Sequence, residues 1–358
     1  MYIVFFVISI CSLTHYFIQY MKIIINPLVN IYYASFYIQG LIDIYGASSI
    51  LFDHEPFVQF QSNSYGLPFI LYDGFTINKV CIDDGDFDSI NQEYYEWCDV
   101  YGKVNTNWEK TPKDNFPKMV SLAPSFGIRI WDLPHTIYYA LTNLLKSRNV
   151  ANCRKFLGRY KRQFSLRLPI EAYTPEPAHE NFVFHVSTLW QDDEYNQNDE
   201  RVNMPRAAFM EVCKSIPGLN FEGGFYYSGN HPLNIHFKDM IFSHYMSPKI
   251  YLEKIKASTL VFNLPAYWNC HGWKLGEYLA LGKAIISTPL LNELPEQLIH
   301  GVNIHFIKND RSEMKEAIQL IMNDKLYRKK LELGARDYYL RNATPEKSMA
   351  LLGIKRNN

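Results

Sequence analysis

The sequence carries no net charge, because 36 lysines and arginines balance 36 aspartates and glutamates over 358 residues. A protein that binds nucleic acid through its overall field has a large positive excess, so any basic surface here must be local. Apolar residues make up 47% of the chain and charged residues 20%, which excludes an intrinsically disordered protein. The length fits two domains better than one core.

Closely spaced cysteines are also missing. The six cysteines stand far apart, and no Cys-x-x-Cys pair occurs. Such pairs are typical of structural zinc sites and thioredoxin-like redox motifs, so neither is expected. Isolated cysteines fit a reducing compartment. We therefore expect a cytoplasmic protein. Such a protein could also associate with the inner face of the cell membrane.

Two further patterns are absent near the N-terminus. Residues 1–20 contain no Asp, Glu, Lys or Arg, and they lack the basic leader and cleavage site of a signal peptide. The segment is either a membrane anchor of borderline length or an upstream extension of a chain that starts at Met21, which we favour. No G-x-G-x-x-G follows the strand-like MKIIIN, which disfavours a dinucleotide-dependent dehydrogenase. No cofactor is expected.

From Met21 onward, short apolar runs alternate with segments of helical spacing. This alternation predicts an α/β fold with mostly parallel sheets, arranged as two Rossmann-like doubly wound domains that face a central cleft. We expect an N-terminal domain at residues 21–170 and a C-terminal domain at 171–335. A connector at about 149–180, which includes the Pro- and Glu-rich segment RLPIEAYTPEPAHEN, joins them, and residues 336–358 form a helix that returns to the N-terminal domain.

The stretch HGWKLGEYLALGKAIISTP, from His271 to Pro289, follows a strand and contains a loop, a small-residue helix and another strand. Ligands of parallel sheets bind at the carboxyl ends of strands, beside helix N-termini. Gly272 would let the backbone approach a ligand, and the N–H groups near Trp273 and Lys274 would hold an anion. With the charge of Lys274, this corner predicts a phosphate or diphosphate site.

One carboxylate, Glu277, lies inside this otherwise apolar helix. A carboxylate in the first turns accepts hydrogen bonds well from two adjacent hydroxyls, such as those of a ribose. It could equally pair with Lys274 three residues earlier. The residues alone leave both interpretations open.

The stretch EYLALGKAII, which begins at Glu277, resembles the donor-binding region of GT-B nucleotide-sugar-dependent glycosyltransferases, the group 1-like C-terminal domain. The resemblance covers residues 251–325 well. It implies that Glu277 binds the nucleotide ribose and that Gly272 to Lys274 lie over the diphosphate and the sugar. It also implies a metal-independent hexosyl or related transferase, with the nucleotide sugar as substrate.

The resemblance has a gap upstream. The family places a first Glu eight residues before the second, and here that position is Asn269. In retaining members that Glu contacts the donor sugar, so the identity of the sugar and the stereochemical outcome stay open. Further donor contacts are expected at His271 and Asn269. They are also expected at Ser187, Thr188, Met246 and Thr288, where a structural turn or cap is the alternative.

The acceptor and any general base should lie across the cleft, on loops of the N-terminal half. No spacing selects one residue. The candidates are His54, Asp73, His135 and Arg129, with Asp53 and Glu55 beside the first of them.

The turn IDDGD contains Asp83, Asp84 and Asp86, a pattern like the metal-binding D-x-D of the other large glycosyltransferase fold. Turns also favour Asp and Gly, and this one ends a strand in the half that should not bind the donor. Helix N-termini and cations can stabilise a leaving diphosphate without a metal. We therefore expect no metal site.

Residues 133–167 contain no acidic residue and several lysines and arginines, interleaved with Tyr, Leu and Phe. The stretch fits a peripheral contact with anionic lipid headgroups, an RNA-binding surface without a known motif, or a solvated helix face.

The combined expectation is a glycosyltransferase that moves a sugar from a nucleotide-diphosphate donor to a hydroxyl of a glycan or lipid-linked glycan. The process would be bacterial surface polysaccharide or lipopolysaccharide synthesis. The alternatives are a nucleotide-sugar epimerase of similar fold and a non-catalytic nucleotide-binding relative.

Overall fold

A computed structural model gives the fold of the chain. It describes residues 21–60, 66–147, 152–190, 199–226, 236–242 and 245–356. The anchor or upstream extension expected at residues 1–20 lies outside the described residues.

The N-terminal domain is built on a six-stranded sheet in the order β2-β1-β3-β4-β5-β6. Its apolar runs form the strands that the sequence predicts. In chain order, the elements are β1 (Lys22–Ile25), α1 (Ile31–Tyr45), β2 (Ile50–Phe52), β3 (Leu67–Tyr72), β4 (Ile77–Asp83), α2 (Gln92–Trp97), β5 (Val100–Lys103), β6 (Met119–Ser121), α3 (Leu133–Lys146) and α4 (Cys153–Ser165).

This sheet departs from the mostly parallel arrangement expected from the alternation. Strand β3 runs antiparallel to both β1 and β4, while the other neighbours are parallel. Only residues 73–76 connect β3 to β4, and a link this short makes a hairpin because a parallel crossover needs a dozen residues or more. Asp73 closes the turn by accepting hydrogen bonds from the backbone N–H groups of Phe75 and Thr76 at 2.8 and 2.7 Å.

The connector expected at about 149–180 is only partly a linker. It contains α4, which packs beside α3, and the amide of Asn143 donates to the hydroxyl of Tyr160 at 2.9 Å. The many lysines and arginines conceal a helical pattern in which Phe156, Tyr160 and Gln163 are the buried positions. Amphipathic spacing therefore decides the structure here, although the composition is polar.

The C-terminal domain contains two three-stranded parallel sets, β9-β8-β7 and β10-β11-β12. Helices follow most of its strands, as the alternation predicts, and two helices follow one another at residues 311–323 and 325–338. The elements are β7 (Phe182–Thr188), α5 (Met204–Ser215), β8 (Asn220–Tyr226), β9 (Ile241–Phe242), α6 (Pro248–Ala257), β10 (Val261–Asn263), α7 (Trp273–Ala280), β11 (Ile285–Ser287), β12 (His305–Phe306), α8 (Arg311–Asn323), α9 (Lys325–Tyr338) and α10 (Pro345–Leu351).

The two sets adjoin through β7 and β10. The backbone N–H of Thr259 donates to the carbonyl of Phe182 at 2.7 Å, and the hydroxyl of Ser258 accepts from the N–H of Phe184 at 2.9 Å. The combined order, β9-β8-β7-β10-β11-β12, is the doubly wound order in which the chain reverses direction between its first and fourth strands. The predicted fold, two Rossmann-like α/β domains that face each other, is confirmed. The junction of β7 and β10 is the position where such a sheet binds ligands.

The last helix, α10, lies on α1 of the N-terminal domain. A Cβ atom at Gly40 would lie 2.3 Å from the carbonyl oxygen of Pro345, so the two backbones touch and only glycine fits. None of the helices in the described part of the chain is long and apolar enough to cross a lipid bilayer.

Candidate functional site: the cleft beside helix α7

Helix α7 begins at the junction of β7 and β10 and is held there by close packing. A Cβ atom at Gly276 would lie 2.6 Å from the carbonyl oxygen of Pro124, so the helix backbone rests directly on a loop of the N-terminal domain. At Gly272, no side chain caps the first turn, and an added Cβ atom would find only the Ala266 methyl, at 3.9 Å. The start of the helix therefore faces open space with backbone donors available to an anion.

The ammonium group of Lys274 crosses from α7 to the end of β7, where it donates a hydrogen bond to the carbonyl of Val186. Burial and the nearby guanidinium of Arg206 lower the pKa of Lys274 to about 7, while Glu277 acts in the opposite sense. A cation with a depressed pKa gains from any anion that approaches it. Lys274 is thus suited to hold a phosphate group.

Arg206 supplies a second cation at the same place. It lies at the start of α5, is 8% exposed, and donates to the carbonyl of Thr188 at 3.3 Å. It forms no ion pair with a carboxylate in the described part of the chain, and burial lowers its pKa to about 10. The uncapped start of α7 and these two cations therefore lie near the carboxyl end of β7. The sequence analysis missed Arg206, because nothing in PRAAFMEV marks one arginine as buried.

Glu277 lies one turn further along α7. Burial raises the pKa of this carboxyl to about 7, and the positive charges of Arg167 and Lys274 offset part of the rise. Among the described residues, no group donates a hydrogen bond to its carboxylate. The pairing with Lys274 that the sequence left open is an electrostatic influence without a hydrogen bond. The carboxylate is consequently available to accept hydroxyl donors.

Aromatic rings surround Arg167 and fix its position beside Glu277. The guanidinium carbon lies 3.8 Å from the ring centre of Tyr32 and 4.3 Å from that of Trp273. Such stacking favours a planar cation. Arg167 follows α4 in sequence and Tyr32 belongs to α1, so this contact ties the N-terminal domain to α7. Arg167 was counted in the basic stretch of the sequence, but its place in the cleft was not foreseen.

His271 and Asn269 line the domain junction. The backbone N–H of His271 donates to the side chain of Asn105 at 2.7 Å, and its Nε2 atom lies 3.1 Å from the carbonyl of Asn292. The amide of Asn292 donates to the carbonyl of Asn269 at 3.1 Å. Asn269 and Trp268 both have left-handed backbone conformations, with φ of 61° and 56°. These contacts hold the loop before α7 in one shape.

The remaining predicted donor contacts lie at strand ends or before a helix. The hydroxyl of Ser187 lies 2.8 Å from Nε2 of buried His185. The side chain of Thr188 is exposed at the end of β7, and Thr288 is buried after β11. Met246 is buried just before Ser247, which caps α6.

The predicted acceptor-side residues do not gather at one place. Asp73 lies in the β3–β4 hairpin, at the start of β4 and so at the opposite end of that strand from the cleft loop. His135 is exposed in the first turn of α3, with Nδ1 2.6 Å from the carboxylate of Asp132. Arg129 stacks over Phe164 at 5.5 Å, and His54 is partly buried after β2.

The turn after β4 places two neighbouring carboxyl groups, those of Asp83 and Asp84, in different surroundings. Asp83 is bound by the buried ammonium of Lys103 at 2.9 Å and by the hydroxyl of Tyr101 at 2.5 Å. Its neighbour Asp84 forms no ion pair in the part of the chain that is described. Burial, followed by the negative charge of Asp83, raises the pKa of Asp84 to about 7.

This turn meets the loop before α7. The thiol of Cys270 is hydrogen-bonded to Asp86, and the rings of Phe87 and Trp268 lie 5.8 Å apart. The sequence analysis treated IDDGD as a turn outside the donor half. The doubled Asp was the signal that could have identified Asp84. Across the described residues, no group of three or more His, Cys, Asp or Glu side chains is arranged to hold a metal ion.

The comparisons with known proteins give low-identity structural likenesses only. No protein-family model and no curated protein matches the sequence. The C-terminal domain of a glycosyl transferase group 1 family protein (LpcC) from Francisella tularensis is 12% identical, with a TM-score of 0.35, over 49% of this chain and 97% of that one.

Two further solved structures are similar at the same level. A glycosyltransferase from Rickettsia africae is 12% identical, with a TM-score of 0.39, over 73% of this chain and 65% of that one. The Anabaena protein HepE, solved in complex with UDP-glucose, is 11% identical, with a TM-score of 0.37, over 73% of this chain and 79% of that one. This chain therefore spans just under two thirds of the Rickettsia protein.

Proposed function

We propose that this protein is a glycosyltransferase that moves a sugar from a nucleoside-diphosphate donor to a hydroxyl acceptor. One observation carries the proposal: among the described residues, Lys274 and Arg206 form no ion pair, and both lie near the uncapped start of α7. One turn further on is the Glu277 carboxylate, which accepts no hydrogen bond from any described residue. The cations and helix N–H groups suit a diphosphate, and the carboxylate suits the two adjacent hydroxyls of a ribose.

The proposed chemistry uses both sides of the cleft. The acceptor oxygen forms a bond to the anomeric carbon of the donor as the bond from that carbon to the diphosphate breaks. Asp84 takes the proton from the acceptor hydroxyl, since a base with a pKa near 7 is well matched to neutral pH. The leaving diphosphate retains the bonding electron pair, and Lys274 and Arg206 stabilise its charge.

A base on the acceptor side is what an inverting transfer requires. Asn269, which stands where retaining relatives have a Glu, is compatible with this outcome. We further propose that the acceptor belongs to bacterial surface polysaccharide or lipopolysaccharide synthesis. The only support for this detail is the resemblance of the EYLALGKAII segment to the donor-binding region of GT-B glycosyltransferases.

A thermal-shift screen with UDP, GDP, ADP and their sugar conjugates tests the donor site. We expect one nucleotide family to raise the melting temperature, and Glu277→Ala to weaken its binding by about 1 kcal/mol or more, as the loss of a ribose hydrogen bond should. Glu253→Ala, on the exposed face of α6, is the matched control. If no nucleotide shifts the wild type, the proposal fails.

Turnover separates the alternatives. An epimerase converts the bound nucleotide sugar with no acceptor present, and a binding protein shows neither transfer nor donor hydrolysis. A glycosyltransferase releases the nucleoside diphosphate in an acceptor-dependent manner, with slow hydrolysis when only water is available.

A further inference from the structure

Helix α3 presents an apolar ridge to solvent. Leu133, Ile137, Leu141 and Leu145 recur every fourth residue, and their side chains are 51%, 51%, 52% and 76% exposed. Residues four apart lie in one row along a helix. Tyr138 beside them is 60% exposed. Exposed apolar residues are normal when scattered, but a continuous row along one helix indicates an interaction surface.

A cationic face borders the ridge. Helix α4 packs beside α3 and exposes Arg154, Lys155, Lys161 and Arg162. Arg154, Lys155 and Lys161 have no carboxylate partner among the described residues. A shallow depression of about 790 Å³ runs along these side chains. The sequence has no acidic residue between positions 133 and 170, so nothing on either helix neutralises this face.

We propose that the ridge of α3 and the cations of α4 form a docking surface for an anionic lipid bilayer. The ridge would enter the boundary between headgroups and acyl chains, while the cations of α4 bind lipid phosphates. This inference does not rest on the proposed function.

Charge selects a bilayer over the other occupants. A second copy that paired ridge to ridge would bring two cationic faces together, and like charges repel. RNA would satisfy the cations but leave a row of aliphatic side chains without contacts, since bases stack on aromatic or guanidinium groups. A bilayer with anionic headgroups matches both features.

Co-sedimentation of the full chain with vesicles tests the proposal. We expect vesicles of phosphatidylcholine with about one third phosphatidylglycerol to bind at least tenfold more tightly than phosphatidylcholine alone, and the difference to shrink at high salt. Residues 1–20 are present in every variant, so only differences between variants are interpreted.

Two variants separate the two parts of the surface. Leu141→Ser with Leu145→Ser removes half of the ridge, and the triple variant Arg154→Gln, Lys155→Gln and Lys161→Gln removes three charges. Each should reduce binding tenfold or more, and all of these side chains are exposed, so folding should be preserved. The matched controls lie on α8 and α9: Leu326→Ser with Leu333→Ser, and Lys315→Gln with Lys329→Gln and Lys330→Gln.

Several results would overturn the proposal. Binding by either variant as tight as that of the wild type rules out the assigned surface. If the ridge variant instead turns a dimer into a monomer by light scattering, with vesicle binding unchanged, a second copy covers the ridge. If the charge variant loses only affinity for polyuridylate, the surface binds nucleic acid.

Discussion

The two edges of the cleft carry opposite charges. On the C-terminal side, Lys274 and Arg206 lie at the end of β7 without an ion pair to any described residue, although the charge of Glu277 acts to raise the pKa of Lys274. On the N-terminal side, the turn after β4 presents Asp84 and Asp86. The difference indicates a division of tasks, in which the cationic edge binds a diphosphate and the acidic edge accepts a proton.

A second contrast lies within the acidic edge. Asp83 and Asp84 are adjacent in sequence, but Lys103 and Tyr101 donate hydrogen bonds to Asp83 and not to Asp84. Asp83 is thus held by the fold as a structural group, and its charge helps to raise the pKa of Asp84. Paired carboxyl groups whose environments differ in this way are a recognised means of producing one base and one fixed charge.

The largest effect is expected from Asp84→Asn, which removes the proposed base with little change in shape. Turnover should fall by about 10²- to 10⁴-fold, while donor binding is retained. In the wild type, kcat/KM should fall as pH drops below about 7, because the carboxyl is then protonated. Steady-state rates between pH 5.5 and 8 measure both effects.

Asp86→Asn is the control for that experiment, because Asp86 lies in the same turn but bonds to Cys270. It should keep most of the activity. An Asp84→Asn variant that retains both its rate and its pH profile would remove Asp84 from the mechanism.

Lys103→Met tests whether Asp83 is the structural member of the pair. The Lys103 side chain is fully buried and also donates to the carbonyl of Phe87 at 2.8 Å. Its loss leaves a buried carboxylate without a cation, so unfolding free energy should fall by about 3–5 kcal/mol, measured by urea denaturation. The double variant with Asp83→Asn should recover much of this loss. A loss below about 1 kcal/mol in the single variant would contradict the assignment.

His271→Gln tests the junction that joins the two edges. Burial lowers the pKa of His271 to about 4 in the folded protein. As pH falls below about 6.5, His271 in the unfolded chain binds a proton. In the folded protein it does not bind one until about pH 4, so the free energy of unfolding decreases across this range. The contribution is about 2 kcal/mol between pH 7 and 5.

Unfolding free energies at the two pH values should therefore differ by about 2 kcal/mol less in His271→Gln than in the wild type. Other titrating groups, such as His185, act equally in both proteins and cancel. An unchanged pH dependence would show that His271 is not held neutral by the fold.

The order of strands and helices was predictable because each element has its own local pattern. The runs FVFHVST and VFN became β7 and β10, and the small-residue helix followed where expected. The antiparallel direction of β3 was missed. The alternation of strands and helices does not take account of connection length, and a short connection makes a hairpin where a long one makes a parallel crossover. The helix α4 was missed because it was grouped with the Pro- and Glu-rich segment that follows it in the chain.

The site was predictable only where one segment contains it. Gly272, Lys274 and Glu277 lie within six residues, so helix geometry places them together. Arg206, Arg167 and Asp84 come from distant parts of the chain, and tertiary packing alone brings them to α7. The special position of Asp84 also depends on Lys103 binding its neighbour, a contact between strands that no local pattern encodes.

The division of tasks across the cleft is tested most directly by calorimetric titration with the nucleoside diphosphate that stabilises the wild type best. Lys274→Met should weaken its affinity tenfold or more, because it removes a charge-assisted contact to the diphosphate. Asp84→Asn should leave the affinity within about twofold. Equal affinity in Lys274→Met and wild type, or a tenfold loss confined to Asp84→Asn, would contradict the account.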